Sequence, residues 1–413
     1  MTPPNALPGA LNHIRVLDLS RVLAGPWCSQ NLADLGADVI KIERPGAGDD
    51  TRAWGPPYAA DAAGNPTTEA AYYLSANRGK RSVTVDIASS EGQALLRDLV
   101  RHCDVVIENF KVGHLKRYGL DYESLQAIKP DLVYCSITGF GQDGPYAHRA
   151  GYDFLIQGMG GLMSITGERD DLPGGGPQKA GVAITDLMTG MYATVAVLAA
   201  LTHRDRTGQG QRIDMSLLDT QVAMLANVGS NYLNSGKRPR RWGNAHANIV
   251  PYQTFACRDG HLIVATGNDG QYRKFVEAGG RPELAHDARF ATNPLRVQNR
   301  DALVPLLAAM VREKDRDDWI ALLEEAGVPC GPINELDEVF ANEQVQARGM
   351  QIALPHPQAG EVKLVRSPMK LSALPSTSDK APPLLGQHTD EVLREVLGKS
   401  GEEIAALRAK RVL

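Results

Sequence analysis

The chain has 413 residues, which exceeds the size at which a single hydrophobic core usually stops growing, so a large and a smaller domain are expected. Its composition, 43% hydrophobic and 22% charged, is that of an ordinary globular protein. A formal net charge of -4 argues against the broad basic surface that holds nucleic acid. We expect a small-molecule ligand and neither a nucleic-acid nor a membrane partner.

Cysteine usage and the N-terminal sequence bear on the compartment. The cysteines lack C-x-x-C spacing, which fits reduced thiols, and the first residues lack the basic and apolar segments of a secretory signal. The longest apolar run, Met191 to Leu201, is about half of the ~20 residues that a membrane span needs, which indicates a buried helix. A cytoplasmic location is expected. The cysteines are Cys28, Cys103, Cys135, Cys257 and Cys330.

Strand and helix patterns alternate along the N-terminal part. The apolar residues of 13–20 indicate a strand, 27–36 is typical of a helix, and 38–44 indicates a second strand. This alternation predicts an α/β fold with a doubly wound, Rossmann-like parallel sheet, whose ligands bind outside the carboxyl ends of the strands. Further strands are predicted at 82–87, 104–109 and 132–138, and further helices at 91–103 and 122–128.

Longer apolar helices follow after Gly151. Residues 152–163 and 187–203 are apolar over much of the helix circumference, so both helices should be interior. A polar, basic stretch at 234–248 then breaks the helical pattern, and 251–266 is typical of a hairpin. We predict a large domain that begins with 1–233, a smaller α+β domain at 234–339 and a return to the large domain at 340–413.

The polar stretch contains the most basic run of the chain. Lys237, Arg238, Arg240 and Arg241 precede Trp242, and such a run could hold a phosphate group or nucleic acid. Nothing around it repeats the pattern, so a solvated loop is the preferred interpretation.

Most familiar catalytic signatures are absent from the sequence. It contains no P-loop, no G-x-S-x-G elbow and no H-E-x-x-H pair, and its ten histidines are dispersed without metal-ligand spacing. The turn after the first strand, Arg21 to Pro26, has one glycine, Gly25. Dinucleotide-binding turns need several glycines so that the pyrophosphate can approach the backbone closely. Hydrolase, kinase, zinc-enzyme and nicotinamide or flavin functions are disfavoured, and we expect neither a metal nor a tightly bound cofactor.

A series of motifs, in a fixed order, spans the chain from about Leu11 to Val396. The motifs are 21–26 (RVLAGP), 41–44 (KIER), 77–86 (NRGKRSVTVD), 108–110 (ENF), 151–153 (GYD), 183–190 (AITDLMTG), 243–252 (GNAHANIVPY), 327–334 (GVPCGPIN) and 383–388 (PLLGQH). Together they resemble the family III CoA-transferases, most strongly the branch that uses succinyl-CoA and glutarate. The resemblance implies transfer of CoA from an acyl-CoA donor such as succinyl-CoA to a short dicarboxylic acid, by an interlinked homodimer.

Asp186, in the motif at 183–190, matches the family's catalytic aspartate. A carboxylate ionised at neutral pH can attack a thioester carbonyl without a base, giving an acyl-aspartyl anhydride and then an aspartyl-CoA thioester. The alternative is that Asp186 is the N-cap of the apolar helix that begins at Leu187. The two interpretations are compatible because a helix N-terminus favours an ionised carboxylate.

The resemblance also implies residues that line the nucleotide and pantetheine parts of CoA, which is a substrate here. Arg44 and Arg117 suit phosphate groups because a guanidinium is a planar fork of donors. The implied CoA-binding residues are Leu23, Ala24, Arg44, Val85, Asp86, Ile87, Ala88, Asn109, Phe110, Lys111, Arg117, Ala150, Gly151, Tyr152 and Asp153.

Two features depart from other members of the family. Another member of the family has lysines at the positions that Ala88 and Ala150 occupy in this chain. Lys80 or Arg81 could supply the missing positive charge. The loop at 243–250 replaces a glycine-rich loop that covers the active site in other members.

The distal carboxylate of the substrate needs a partner. Arg21, Arg149 and His246 are candidates by resemblance, and a structural role for each is an equal alternative.

Two other functions compete with the transferase. A 2-methylacyl-CoA racemase shares the implied fold but uses histidine in a Gly-His-Asp motif, where this chain has Gly151, Tyr152 and Asp153. Tyrosine, with an ordinary pKa of about 10, is a poor base at neutral pH. A non-catalytic acyl-CoA binding protein would need Asp186 only as a helix cap.

Overall fold

The computed structural model describes residues 9–413, which form two compact units. Unit 1 contains residues 9–161, 180–229 and 344–413, and unit 2 contains residues 162–179 and 230–343. The small domain predicted at 234–339 did not include 162–179. That segment belongs to unit 2 because its backbone pairs with the loop after residue 240, where the N–H of Gly243 donates to the carbonyl of Gly167 (3.1 Å).

The secondary structure alternates between strands and helices in the first 140 residues and is mainly helical afterwards. The strands are β1 Arg15–Asp18, β2 Asp38–Glu43, β3 Tyr58–Ala60, β4 Pro66–Ala70, β5 Lys80–Thr84, β6 Val105–Glu108, β7 Val133–Thr138, β8 Gln211–Ser216, β9 Tyr252–Ala256, β10 His261–Ala265, β11 Cys330–Gly331, β12 Gln351–His356 and β13 Gly360–Val365. The helices are α1 Ala24–Asp34, α2 Ala71–Ser75, α3 Ser90–Val100, α4 Tyr122–Gln126, α5 Asp153–Met159, α6 Leu162–Ile165, α7 Ile184–Thr207, α8 Leu217–Ala223, α9 Ala226–Ser235, α10 Asp269–Ala278, α11 Glu283–His286, α12 Asn293–Gln298, α13 Arg300–Val311, α14 Arg316–Ala326, α15 Leu336–Ala341, α16 Glu343–Ala347, α17 Thr389–Leu397 and α18 Gly401–Ala409. Two 3₁₀ segments lie at Asp50–Ala53 and Leu115–Tyr118.

A parallel sheet of six strands forms the centre of unit 1, in the order β5-β2-β1-β6-β7-β8. The chain proceeds outward from β1 to β2 and β5 on one side and from β6 to β7 and β8 on the other, so the strand order reverses between β1 and β6. The predicted doubly wound α/β sheet is confirmed. Ligands of such sheets bind outside the carboxyl ends of the strands beside the reversal, which places the candidate site after Asp18 and after Glu108.

Both faces of this sheet are covered by apolar side chains. In β1, Val16 is buried with Cys28 and Leu32 of α1, whereas its neighbour Leu17 is buried with Leu96 of α3 on the opposite face. Successive residues of a strand point to opposite faces, so a strand buried on both sides is apolar throughout. This explains the continuous apolar runs in the sequence of the first strands.

The long helix α7 packs against the sheet along one face. Ala193 and Val197 are fully buried, whereas Tyr192 and Val195 are 45% and 60% exposed. The prediction that 187–203 forms an interior helix is therefore wrong for half of its circumference. By length and composition α7 could cross a membrane, and 44% of its most apolar window is buried.

The second predicted interior helix, 152–163, is also different in the structure. It is divided into α5 and α6 at Gly160 and Gly161, where Gly161 has a positive φ of 89° that ends the helix. Phe154 and Leu155 of α5 are exposed, so this helix is not interior either.

Unit 2 has its own apolar core. The antiparallel sheet β11-β10-β9 packs with helices α10, α13 and α14 around the fully buried side chains of Phe275 and Trp319. The hairpin predicted at 251–266 is the β9–β10 pair, which is confirmed in place and orientation.

Candidate active site

The turn after β1 and the turn after β6 are joined by a pair of hydrogen bonds across the point where the strand order reverses. The backbone N–H of Arg21 donates to Oδ1 of Asn109 (2.9 Å), and Nδ2 of Asn109 donates to the carbonyl of Arg21 (2.6 Å). The side chain of Asn109 therefore fixes the backbone that leads into helix α1.

Val22, the next residue of this turn, has an unusual backbone conformation. Its φ is +71°, a region that β-branched residues rarely occupy and that costs about 1–3 kcal/mol when it is imposed. The backbone N–H of Val22 donates to the carboxylate of Asp49 (3.2 and 3.3 Å). The surrounding structure thus holds the turn in a conformation that the local sequence disfavours.

A buried ion pair supports this conformation. Nζ of Lys41 donates to Oδ2 of Asp49 and to the carbonyl of Ser20, both at 2.9 Å, and neither charged side chain is exposed. Burial alone would raise the pKa of Asp49, but the Lys41 ammonium lowers it to about 2. Lys41 therefore connects the carboxylate that binds Val22 to the carbonyl that precedes Arg21.

Helix α7 brings Asp186 to the same edge of the sheet. The N-cap residue is Ala183, so Asp186 is the third residue of the helix, and the alternative that Asp186 is the N-cap is wrong. Asp153 provides the capping oxygen instead, because its Oδ2 accepts the backbone N–H groups of Thr185 (2.8 Å) and Asp186 (3.2 Å). Its Oδ1 accepts from Nε2 of Gln157 (2.6 Å).

The carboxylate of Asp186 has few compensating contacts. The residue is 9% exposed, and within residues 9–413 no side-chain or backbone donor makes a hydrogen bond to its carboxylate oxygens. Burial, and then the negative charge of Asp153, raise the pKa of Asp186 to about 7. A desolvated carboxylate without hydrogen bonds is a stronger nucleophile than a solvated one, provided that it is deprotonated.

Asp186 lines a cavity of about 160 Å³ together with both turns. The cavity lies at the carboxyl ends of β1, β6 and β7, and the first residues of α1 form part of its wall. The sequence-predicted residues among its lining are Arg21, Leu23, Ala24, Asn109, Phe110, Lys111, Arg149, Ala150, Gly151, Tyr152 and Asp186.

A second cavity of about 320 Å³ lies beside the first in unit 1. Arg21, Asp50 and Phe110 line both cavities, so the two are adjacent. Arg21 and Asp50 form an ion pair (2.9 Å) at this boundary. The sequence-predicted residues that line the larger cavity are Arg21, Arg44, Val85, Asp86, Ile87, Ala88 and Phe110.

Three predicted residues lie outside both cavities: Arg117, His246 and Asp153, whose carboxylate caps helix α7. Arg117 is exposed and contacts Nδ1 of His114 (2.7 Å), which lines the larger cavity. His246 belongs to unit 2, where its Nδ1 accepts the backbone N–H of Asn248 (3.0 Å).

The suggestion that Lys80 or Arg81 supplies charge in place of lysines at 88 and 150 is wrong. Nζ of Lys80 is fully buried and bonded to Asp18 and to the carbonyl of Pro26. Arg81 forms ion pairs with acidic residues of β2 and α17. Neither cation lines a cavity next to Asp186.

Sequence reasoning missed several lining residues. Asp50, His114 and Tyr118 line the larger cavity, and Asp49 orders the turn that carries Val22. The adjacent acidic pair at 49–50, separated from the KIER motif by residues 45–48, was the available signal. A positive φ at valine had no signal in the sequence.

The geometry can be compared with known proteins. A model of CoA-transferase family III matches residues 11–389. The chain is 51% identical to a succinate–glutarate CoA-transferase of Agrobacterium fabrum, over 95% of this chain and 97% of that protein, and 44% identical to a human succinyl-CoA:glutarate CoA-transferase, over 98% and 90%. The crystal structure of a CAIB/BAIF family protein from Brucella suis, 52% identical, superposes with a TM-score of 0.83 and covers 94% of this chain and 100% of that one. The chain belongs to CoA-transferase family III.

Proposed function

We propose that the protein transfers CoA from succinyl-CoA to glutarate, with Asp186 as the nucleophile. The observation that carries this proposal is the position of Asp186 in a cavity at the strand-order reversal, desolvated and without a hydrogen-bond donor on its carboxylate. The names of the relatives with 51% and 44% identity support this choice of donor and acceptor.

The proposed chemistry proceeds through two kinds of covalent intermediate. A carboxylate oxygen of Asp186 attacks the thioester carbonyl of succinyl-CoA, the C–S bond breaks, and a mixed succinyl-aspartyl anhydride and the CoA thiolate form. The thiolate attacks Cγ of Asp186, which releases succinate and leaves an aspartyl-CoA thioester. Glutarate then attacks this thioester and expels the thiolate, and the thiolate attacks the glutaryl carbonyl to give glutaryl-CoA and free Asp186.

The two adjacent cavities fit the two ends of an acyl-CoA. Arg44, exposed and lining the larger cavity, would bind phosphate oxygens of the nucleotide. The pantetheine chain would cross the boundary at Phe110 and bring the thioester to Asp186 in the smaller cavity.

The N-terminus of α1 favours charge separation in this cavity. The helix begins at Ala24, which lines the cavity, and its first N–H groups carry the positive end of the helix dipole. That partial charge would stabilise the thiolate, and the oxyanion of the tetrahedral intermediate, relative to the neutral thioester.

Racemisation is disfavoured by the contacts of Asp153 as well as by Tyr152. Both oxygens of Asp153 are engaged, with Thr185, Asp186 and Gln157. A carboxylate that caps a helix in this way is not free to exchange a proton with a substrate carbon.

A homodimer is the assembly that the exposed apolar surface of unit 1 supports. Phe154 of α5, and Tyr192 and Val195 of α7, are 59%, 45% and 60% exposed. Tyr192 and Val195 lie three residues apart and therefore on the same side of α7, and adjacent exposed apolar side chains of this size are typical of an interface. Val195→Asp should shift the protein toward monomer in light scattering, whereas a wild-type protein that is already monomeric would contradict the assembly.

The proposed function is tested by following succinyl-CoA and glutaryl-CoA with glutarate, itaconate and other short acids as acceptors. We expect glutaryl-CoA to form with succinate release and without net hydrolysis. Asp186→Asn should abolish transfer, whereas Asp219→Asn, at the same helical position of α8 but exposed, should retain it. Transfer by Asp186→Asn at the wild-type rate, or no transfer to glutarate by the wild type, would refute the proposal.

A further inference from the structure

Unit 2 contains a cavity of about 330 Å³ that the proposed function does not use. It is lined by residues of 162–179, Trp242 and the loop after it, strand β9 and the first two turns of α13. Arg169, Trp242, Gln253 and Arg300 are among the lining residues. The cavity is formed by unit 2 alone and shares no residue with the cavities around Asp186.

Arg300 is the unusual feature of this cavity. It is 6% exposed, and its Nη2 donates to the carbonyls of His246 (2.7 Å) and Ala247 (3.0 Å). Its Nε and Nη1 are buried, and among residues 9–413 neither has a hydrogen-bond partner. Two buried guanidinium nitrogens without acceptors are costly, because the two bonds of Nη2 compensate only part of the desolvation of the charge.

No carboxylate of the described chain forms an ion pair with Arg300, although Glu168 and Asp301 line the same cavity. Oε1 of Glu168 accepts the backbone N–H of Arg169 (2.7 Å). The guanidinium of Arg169 is bound to Asp171. The internal acids therefore leave Nε and Nη1 of Arg300 without an acceptor.

Trp242 holds two guanidinium groups at the cavity. The guanidinium carbons of Arg240 and Arg300 lie 3.9 and 4.1 Å from the centroid of its ring. Burial, and then the like charge of Arg240, lower the pKa of Arg300. Arg240 is exposed in a loop, as the solvated-loop interpretation of the basic run expects, and in addition it stacks on Trp242 and adds positive charge beside Arg300.

We infer that this cavity in unit 2 is a binding site for a small organic carboxylate, which accepts hydrogen bonds from Nε or Nη1 of Arg300 once a small rotation of the side chain turns them toward the cavity. A carboxylate supplies both the acceptor and the compensating charge that Arg300 lacks. The volume accommodates an acid of a few carbon atoms, and Gln253 and Thr254 provide polar groups along the wall. The bonds from Arg300 to the carbonyls at 246 and 247 connect this site to the loop at 243–250.

The inference does not depend on the proposed function, and its test reads the cavity directly. The full-length protein is labelled with 5-fluorotryptophan, which gives one ¹⁹F resonance for each of the four tryptophans, and the Trp242→Phe variant assigns the resonance of Trp242. Glutarate, acetate and inorganic phosphate are titrated separately in the presence of saturating CoA. Trp319, fully buried in the core of unit 2, is the internal control.

We expect glutarate to shift the Trp242 resonance saturably and the Trp319 resonance not at all. Arg300→Gln should weaken binding at least tenfold, since a hydrogen bond to a charged group contributes roughly 1.5–3 kcal/mol. Arg240→Gln, an exposed and therefore fold-neutral change, should weaken it a few-fold, and Arg312→Gln, an exposed control at the end of α13, should not.

Three results would overturn the inference: an unmoved Trp242 resonance at tens of millimolar glutarate, wild-type affinity in both Arg300→Gln and Arg240→Gln, or binding of phosphate at this resonance as tight as that of glutarate. Loss of glutarate binding here with normal CoA transfer would separate this site from the proposed reaction. Conversely, loss of CoA transfer in Asp186→Asn with an unchanged Trp242 titration would show that the reaction can be abolished while glutarate still binds in unit 2.

Discussion

Asp153 accepts the backbone N–H of Asp186 through Oδ2, at 3.2 Å, and the two carboxylates are close enough for the charge of one to raise the pKa of the other. Asp153 therefore has two opposing effects. It fixes the first turn of α7, which positions Asp186, and it disfavours the ionised form of Asp186 that attacks a thioester. Without Asp153 the nucleophile would be less well oriented. With Asp153 it is oriented, but the neighbouring negative charge makes it harder to ionise.

The rate of CoA transfer should depend on pH through Asp186. Its pKa is raised to about 7, and only the deprotonated carboxylate attacks, so the reactive fraction decreases as pH falls through 7. We expect kcat/KM to approach a plateau above about pH 8 and to decrease up to tenfold per pH unit on the acid side. Initial rates between pH 5 and 9 measure this decrease, which is the acid limb of the pH profile. A rate that is constant down to pH 5 would show that Asp186 is already ionised there.

Asp153→Asn should move this acid limb to lower pH. The substitution removes the negative charge that raises the pKa of Asp186 and keeps an oxygen that can accept from Thr185 and Asp186. Activity at pH 6 relative to pH 8 should therefore increase. Asp98→Asn, an exposed change on α3, is the control and should leave the profile as it is. A limb that moves to higher pH would mean that Asp153 acts on the rate by another route.

Lys41→Met should destabilise the protein and the turn that lines the cavity. The substitution leaves Asp49 buried without its ion-pair partner, and breaking such a pair costs about 3–5 kcal/mol. Asp49 would no longer be held in place to accept the N–H of Val22, so the turn with the positive φ should become disordered. We therefore expect kcat to decrease by more than the loss of folded protein accounts for. Urea unfolding and steady-state kinetics measure both effects. The double variant Lys41→Met/Asp49→Asn should regain stability, and an equally unstable double variant would rule out the unpaired charge as the cause.

Gly190→Ala should destabilise the protein although alanine favours helices. A Cβ at this position of α7 would lie 2.7 Å from the carbonyl oxygen of Ala24 and 3.0 Å from Cβ of Trp27, so α1 would have to move. Overpacking of this kind costs about 1–3 kcal/mol. Gly401→Ala in α18 faces open space and should be neutral or slightly stabilising. Urea unfolding compares them, and a Gly190→Ala protein at least as stable as Gly401→Ala would show that the helices can separate freely.

The sheet was largely predictable from the sequence because its central strands are buried on both faces and read as apolar runs. The strand Gln211–Ser216 was missed for the opposite reason: it lies at the edge of the sheet, and its polar and apolar residues alternate with exposed side chains. The hairpin of Tyr58–Ala60 and Pro66–Ala70 is mostly exposed and has no apolar pattern to indicate strands.

The exposed half of α7 could not be anticipated from periodicity. Tyr192 and Val195 are apolar, as an interior helix requires, and the sequence does not distinguish burial within one chain from burial against another.

The site was predicted by resemblance and not by local pattern. The cap on α7 depends on Asp153, which is 33 residues from Asp186 in the sequence, so no local rule could have connected the two.

Mass spectrometry of the protein after incubation with succinyl-CoA in the absence of an acceptor tests the central claim most directly. We predict a covalent adduct on the peptide that contains Asp186, as anhydride or CoA thioester, and conversion by hydroxylamine to a hydroxamate at that residue. The adduct should be absent from Asp186→Asn and present in Asp219→Asn. Catalysed CoA transfer without any adduct on Asp186, or with an adduct on another residue, would contradict the account.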